Sequence, residues 1–460
     1  MRFGAGCQCL SGQILVKNEE GVNAMKGRNV FHERKAIQGK RTKCVGVALC
    51  CMTAMLPTAG CASSENSGKT EIEIVQYKPE AANYFKMVEE QFNATHDDIH
   101  LTINSPNDAT TILKTRFIRE DYPDIIGIGG DINYSYFVDA EILTDVSDYP
   151  GLQDINQGYL DIAEALELIP VDGTYIVPYV ANAAGVLYNR QMFAEHDWQI
   201  PETWEELLAL CDEIQAEGIL PFYFGFKDTW TCLAPWNAMA VELAPSDTTK
   251  QVNRGETTFT EQYRELAEKY LQLLPYGPAD PFAYGYNDAC TAFARGEAAM
   301  YPIGSYATPQ ILSVNPDLDI DSFVMPACDN REDRTLNSGI DLGFCVMADC
   351  PNKEAAYEVL DFLLADENIQ KYIDDQNAVP CKSGEFQLAS MLDGMLEFIQ
   401  TGNMTDYQDH YYPSEMSVDA LLQTYLIEKD RDSFLATFDK NWQRYNRDII
   451  RMVQEYAQNH

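Results

Sequence analysis

The order of apolar and polar segments predicts an α/β protein, and three observations carry that expectation. Strand-like and helix-like segments alternate from residue 71 onward. The 460 residues are 46% hydrophobic, enough for a packed core and for two or three domains. Gly and Pro stay near their average shares, which sets aside collagen-like and wholly disordered classes. Strands that alternate with helices predict layers built on parallel sheets.

Residues 71–77, EIEIVQY, alternate as a half-buried strand does. Residues 81–92 place Tyr84, Val88 and Phe92 four apart on one helical face. HLTINSP reads as a second strand, and a helix through Ile112, Arg116 and Arg119 follows. YPDIIGIGGD, apolar and bounded by Pro123 and glycines, reads as a third strand. TYIVPYV and AAGVLYN are apolar stretches split at Ala181-Asn182. In PETWEELLALCDEIQAEG, Thr203 and Glu206 form a capping box, Leu207, Cys211 and Ile214 a buried stripe, and Gly218 a stop. Residues 261–274 and 351–365 are expected to be helical, the latter with Pro351 near its first turn and Ala356, Val359, Leu360 and Leu363 facing the core. Residues 414–457 read as helical, with no strand signal, and no internal repeat is visible.

The first sixty residues read as an address. Lys26, Arg28, Arg34, Lys35, Lys40, Arg41 and Lys43 precede an uncharged run, Cys44 to Gly60. That run contains Pro57 and is short of the ~20 apolar residues of a spanning helix. A basic flank, an apolar run and small residues make a secretory signal. The run ends in Thr58-Ala59-Gly60-Cys61, which resembles a bacterial lipobox with Thr58 where Leu is usual. The resemblance implies removal of 1–60 and lipidation of Cys61, with 61–69 as a polar tether. An uncleaved membrane anchor is the alternative; either puts the body outside the cytoplasm. Met25-Lys26 reads as the natural start, so residues 1–24 are expected to lie upstream of the translated chain.

Charge is unevenly spread. The net formal charge is −38, but residues 1–60 hold nine Lys/Arg against three Asp/Glu, which leaves 24 basic and 68 acidic residues, a balance of −44, for 61–460. Such a body repels nucleic acid and anionic lipid headgroups and disfavours an anionic ligand. Seven of the thirteen cysteines lie beyond Cys61: Cys211, Cys232, Cys290, Cys328, Cys345, Cys350 and Cys381. Their odd number and irregular spacing fit buried apolar residues better than a zinc site or a disulfide framework.

One colinear series of segments then stands out. PDIIGIGGD is followed by DGTYIVPYVANAAGVLYNRQMFAEHDWQIPETWEELLALCDEIQAEGI, FARGEAAMYPIGSY, FVMPACDN and NSGIDLGFCVMADCPNKEAAYEVLDFLL. In this order they resemble the sugar-binding proteins of bacterial ABC importers, the family that includes maltose-binding protein, over about residues 70–460. The resemblance implies a two-lobe, periplasmic-binding-protein-like α/β fold with a hinged interlobe cleft. Its crossings fall near Asn182–Gly185, Met325–Ala327 and Asn377–Pro380. Lobe one is then 70–182 plus 327–377, and lobe two 183–326 plus 378–460. It further implies a monomeric, non-enzymatic protein that hands a carbohydrate to an ABC permease, with no cofactor or metal.

Sugars present C–H faces that stack on aromatic rings and hydroxyls that need paired donors and acceptors. Trp230 and Trp236, in KDTWTCLAPWN after the strand-like LPFYFGF, match the family's cleft aromatics, with core packing as the alternative for each. Tyr306, in GSY, stands where the family usually has Trp. Asp131 ends the GIGGD run and is either a hydroxyl acceptor or the N-cap of the next helix. Asn182 sits in the first crossing, where the family often has an acid. Tyr77 and Lys78 follow the first strand, Asp341 opens the SGIDLGF strand, and Tyr412 precedes the last helices.

No G-x-S-x-G elbow, Walker loop or H-E-x-x-H occurs, and the six His are scattered without ligand spacing. A secreted glycoside hydrolase with two facing carboxylates, and a binding protein for a peptide, polyamine or metal, are the alternatives to sugar binding.

Overall fold

The computed structural model describes residues 68–459. The signal, lipobox and Cys61 readings lie outside them. Two sheets organise the chain. The first contains β1 (Thr70–Gln76), β2 (Ile99–Asn104), β3 (Ile125–Ile128) and β4 (Val177–Ala184). The second contains β5 (Val186–Asn189), β6 (Leu220–Phe222), β7 (Ala298–Tyr301) and β8 (Ile320–Phe323). The chain then returns to the first sheet through β9 (Leu336–Val346), β10 (Val379–Pro380) and β11 (Met404–Thr405). The first sheet runs β10-β4-β9-β3-β1-β2, with β11 on β9; the second runs β6-β7-β5-β8. By pairing, β10 and β11 therefore join the first sheet, although they lie within 378–460.

The expected parallel layering holds for part of the chain. β1 pairs in parallel with both β2 and β3, as strands joined through helices must. β9 is antiparallel to both β3 and β4. It enters from the second sheet and needs no crossover helix on its own edge, so its direction is free of that constraint. In β3 every side chain of IIGI is buried, the pattern of a strand covered on both faces. Gly127 is required there, because a Cβ would come within 2.6 Å of Gln76 Cβ.

Local signals fix the helices. Ala82–Thr95 buries Tyr84, Val88 and Phe92 as the spacing predicts, together with Phe85. Trp204–Ala216 is capped by Thr203, whose hydroxyl accepts from Glu206 N at 3.3 Å, and Gly218 follows at φ +79°. The Glu206 carboxylate accepts from Glu202 N rather than from Thr203 N, so the capping box is displaced by one residue. The helix expected at 261–274 is two, Phe259–Gln262 and Arg264–Leu273. The region read as helical from 414 is made of three helices, Val418–Glu428, Arg431–Tyr445 and Arg447–Asn459. They are separated where Lys429 takes a left-handed φ of 60° and where Asn446 caps.

The two sheets define two lobes, and the passages between them are short. A single residue, Gly185, separates β4 from β5. A Cβ at Gly185 would overlap the carbonyl oxygen of Phe323 and the Met395 side chain. The passage after β8 is clamped by the second lobe. Ala327 N and Cys328 N both donate to Glu242 Oε2, at 2.7 and 3.0 Å. Lys269 Nζ donates to Ala327 O at 2.7 Å, and Trp204 N to Cys328 O at 2.9 Å.

Candidate site at the junction of the lobes

The first sheet gathers four of the expected residues, with Asp341 in the middle of β9 and not at its start, because the strand begins five residues earlier, at Leu336. β1 delivers Tyr77 and Lys78, β4 carries Asn182 and β9 carries Asp341. The Asp341 carboxylate receives Lys78 Nζ on both oxygens, at 2.9 and 2.8 Å, and Asn182 Nδ2 at 2.9 Å. The Tyr77 hydroxyl donates a short hydrogen bond to the Asp341 carbonyl. Burial opposes charge on Lys78, but Asp341 outweighs it and holds the ammonium above its ordinary pKa. Four side chains thus make one polar floor where two lobe-connecting strands lie side by side, Asn182 opposite Gly339.

Asp131 stands beside this floor because Gly129 and Gly130 let β3 run against it. A Cβ at Gly129 would meet the Tyr77 hydroxyl at 3.0 Å, and one at Gly130 the Ile340 Cβ at 2.9 Å. Asp131 caps Ile132–Asp139 by accepting from Asn133 N at 2.8 Å. The two readings of this residue do not exclude one another. It is an N-cap, and its carboxylate also lines a cavity of about 230 Å³ shared with Asn133, Tyr136, Asp409, His410 and Tyr412.

The second lobe supplies aromatic faces. Trp230 is 41% exposed and lies 5.0 Å from Tyr286 and 6.2 Å from Tyr306, centroid to centroid. Gly304, two residues before Tyr306, bridges to Ala184 beside Gly185, which ties the Tyr306 turn to the first passage between the lobes. Burial, and then the Asp409 carboxylate, raise the Tyr306 hydroxyl above its ordinary pKa.

Two expected residues stand differently. Trp236 is 0% exposed, edge-on to Tyr263 and Phe434, so it is a core residue and offers a ligand no face. Its position three residues into the helix Leu233–Leu243 turns it inward, whereas Trp230 sits on the short turn Thr229–Cys232 before that helix. Tyr412 lines the cavity but is 6% exposed, with its hydroxyl 2.8 Å from that of Tyr263.

The sequence reading missed Tyr286, Asp406, Tyr407, Asp409 and His410. Tyr407 and His410 pack on the crossing strand, where a Cβ at Gly339 would lie 2.9 Å from either ring. Asp409 accepts from Asn237 Nδ2 at 2.9 Å. The density of acids and aromatics in YQDHYYP was the available signal. A larger hollow of about 670 Å³ lies elsewhere, around Arg190, Trp198 and Ile200, and contains none of the expected residues. Among the described residues no cluster of three or more His, Cys, Asp or Glu could hold a metal, and no helix is long and apolar enough to cross a membrane.

Residues 77–370 match the family described as bacterial extracellular solute-binding protein. The chain belongs to this family. Among curated relatives of this solute-binding protein, the multiple sugar-binding protein of Streptococcus mutans is 26% identical over 380 residues, which cover 80% of this chain and 89% of that protein. Among solved structures, apo RafE from Streptococcus pneumoniae is 24% identical and superposes with a TM-score of 0.74, covering 83% of this chain and 99% of that one. AcbH, a bacterial solute receptor described as having an exclusive preference for galactopyranose, is 17% identical with a TM-score of 0.70, over 82% of this chain and all of that one. These structures share the two-lobe α/β fold.

Proposed function

We propose that this solute-binding protein captures a neutral mono- or oligosaccharide outside the cytoplasm and delivers it to an ABC transporter permease. The observation that carries this reading is an aromatic group on the second lobe, Trp230 exposed with Tyr286 and Tyr306 half-buried beside it, together with two carboxylates and an amide on the first, Asp131, Asp341 and Asn182. Rings accept the C–H face of a sugar while the floor accepts and donates to its hydroxyls. The names of the relatives point the same way: the S. mutans protein is called multiple sugar-binding, and RafE has been solved with raffinose.

The lobe limits implied by the sequence, 70–182 plus 327–377 and 183–326 plus 378–460, belong to the same proposal, except that the strand residues 379–380 and 404–405 go with the first lobe by their sheet. So does closure of the lobes on ligand, the state the permease recognises. A ligand held by Asp131 on one side and Trp230 on the other favours the closed form by its differential contacts. Small-angle scattering tests this: the radius of gyration should fall on saturation, and an unchanged value counts against closure. Cys61 is proposed to carry the lipid anchor, and mass spectrometry of the membrane fraction should find an acylated N-terminus there.

The function itself is tested by thermal shift against a glycan panel. Ligand at ~100 times Kd that binds only the folded state adds ~2.7 kcal/mol of stability. A broad neutral panel without a shift, alongside stabilisation by peptides or polyamines, sinks the carbohydrate reading.

A further inference from the structure

His410 lies in the loop after β11, a region the motif series did not mark. Its Nδ1 is 2.7 Å from Asp406 Oδ1 and its ring leans on Tyr407 at 4.9 Å. Asp406 is 2% exposed, while His410 keeps 26% of its side chain open and lines the cavity at Asp131. The ring is wedged against β9 at Gly339, opposite Asn182. With Nδ1 committed to a buried acid and Cε1 against the strand, Nε2 is the edge left for a ligand.

We infer that His410 is a ligand-contacting residue, whose imidazolium Nε2–H donates to one sugar hydroxyl while the Asp131 or Asp409 carboxylate accepts that hydroxyl's proton or its neighbour's. This deepens the carbohydrate reading and rests on it. The chemistry favours a vicinal pair of hydroxyls. Each hydroxyl is both donor and acceptor, and the cavity offers one cationic donor between two anionic acceptors. Asp406 is the positioning residue: it fixes the tautomer and the tilt of the ring, as carboxylate partners of histidine do.

The charged groups around the ring agree on its state. Asp406 and Asp409 on its own loop and Asp131 at the start of Ile132–Asp139 all act to keep it protonated. Lys114 and Glu415, which line the same cavity, bring one charge of each sign. Burial opposes the charge, but the three carboxylates outweigh it and raise the imidazole from 6.5 to about 9. The cationic donor is therefore present throughout the neutral range and is lost only as pH rises through about 9.

The test uses the whole protein and isothermal titration with raffinose, galactose and chitin oligosaccharides. Variants are carried forward with whichever sugar wild type binds best. His410→Phe should weaken binding about ten- to a hundredfold, the range for a hydrogen bond from a charged donor. His410→Gln, which keeps an N–H donor without the charge, should lose less. Wild-type affinity should be level from pH 6 to 8 and fall above about 9, and Asp406→Asn should move that fall to lower pH, which a purely structural role would not do. Far-UV circular dichroism establishes that each variant is folded. Nitrogen chemical shifts of the His410 ring supply a readout in wild type alone: both nitrogens protonated at pH 7.5, and Nε2 moving on saturation. If a sugar binds wild type but His410→Phe binds within twofold of it, or Nε2 does not move, the role of His410 is overturned and the carbohydrate reading stands. If none of the three binds wild type, the sugar is taken from the thermal-shift panel, and failure of that whole panel alongside stabilisation by peptides or polyamines removes the carbohydrate reading and the His410 role with it.

Discussion

Replacing Glu242 by Gln removes one titration from the second passage between the lobes. Glu242 Oε2 receives the backbone N–H groups of Ala327 and Cys328. Burial raises its pKa from 4.5 to about 7, against the lowering effect of those bonds. The folded state therefore holds this proton more tightly than the unfolded chain does. The resulting stability is complete below about pH 4.5, declines as pH rises and is gone above about 7. A shift of that size corresponds to ~3 kcal/mol at 1.36 kcal/mol per unit, and partial exposure of the side chain reduces it to about 2. Gln keeps a carbonyl oxygen to accept the same two N–H groups and cannot ionise. Urea unfolding of both proteins at pH 5, 6, 7 and 8 measures the effect. Any cost of burying the amide is a constant offset. The difference in unfolding free energy should move in favour of Gln by ~2 kcal/mol between pH 5 and 8. Glu167 and Asp139, raised to about 7 and about 6 by burial, titrate in both proteins and cancel in the difference. Two parallel curves would refute the reasoning.

The two tryptophans should separate affinity from stability. Trp230→Ala should cost at least about tenfold in saccharide affinity with little change in melting temperature, whereas Trp236→Ala should cost ~3–5 kcal/mol in urea unfolding. Asp341→Asn leaves Lys78, with only 16% of its side chain exposed, to the more open Glu80. Its unfolding free energy should fall, short of the ~3–5 kcal/mol for a fully buried pair, and calorimetry should show weaker binding. Burial pushes all seven described thiols up, Cys350 to about 11, and Cys350 alone is not fully buried. Iodoacetamide at pH 8 should modify Cys350 slowly and the other six only in denaturant, as read by mass spectrometry of the peptides.

The sequence carried the parts of this fold that local rules govern. Tyr84, Val88 and Phe92 repeat at a helical period and are buried, and Thr203 and Gly218 mark their helix as capping rules require. The antiparallel entry of β9 was not legible, because strand direction depends on which lobe the chain arrives from and leaves no periodic trace. β10 and β11 are two residues each, below any pattern. Among candidate site residues, the strand and motif order sufficed to point to Asp131, Asn182 and Asp341, which the fold brings onto or just past neighbouring strands of the first sheet. Trp236 was misplaced because, three residues into the helix that follows the Trp230 turn, its side chain is rotated to the core, and composition does not encode that rotation. Asp406 and His410 were missed because their pairing spans one short turn next to Gly339, far away in sequence.

Gly185 sets a limit on how this protein can be re-engineered. Any side chain there acts as a wedge between Phe323 and Met395, at the one residue that separates β4 from β5. Alanine at this position should alter the resting angle between the lobes, read as a changed radius of gyration without ligand, while leaving Asp131, Trp230 and the other candidate contacts in place. It is thus a dial outside the cleft: affinity can be reset there while the sugar-facing chemistry, and with it selectivity, stays as it was.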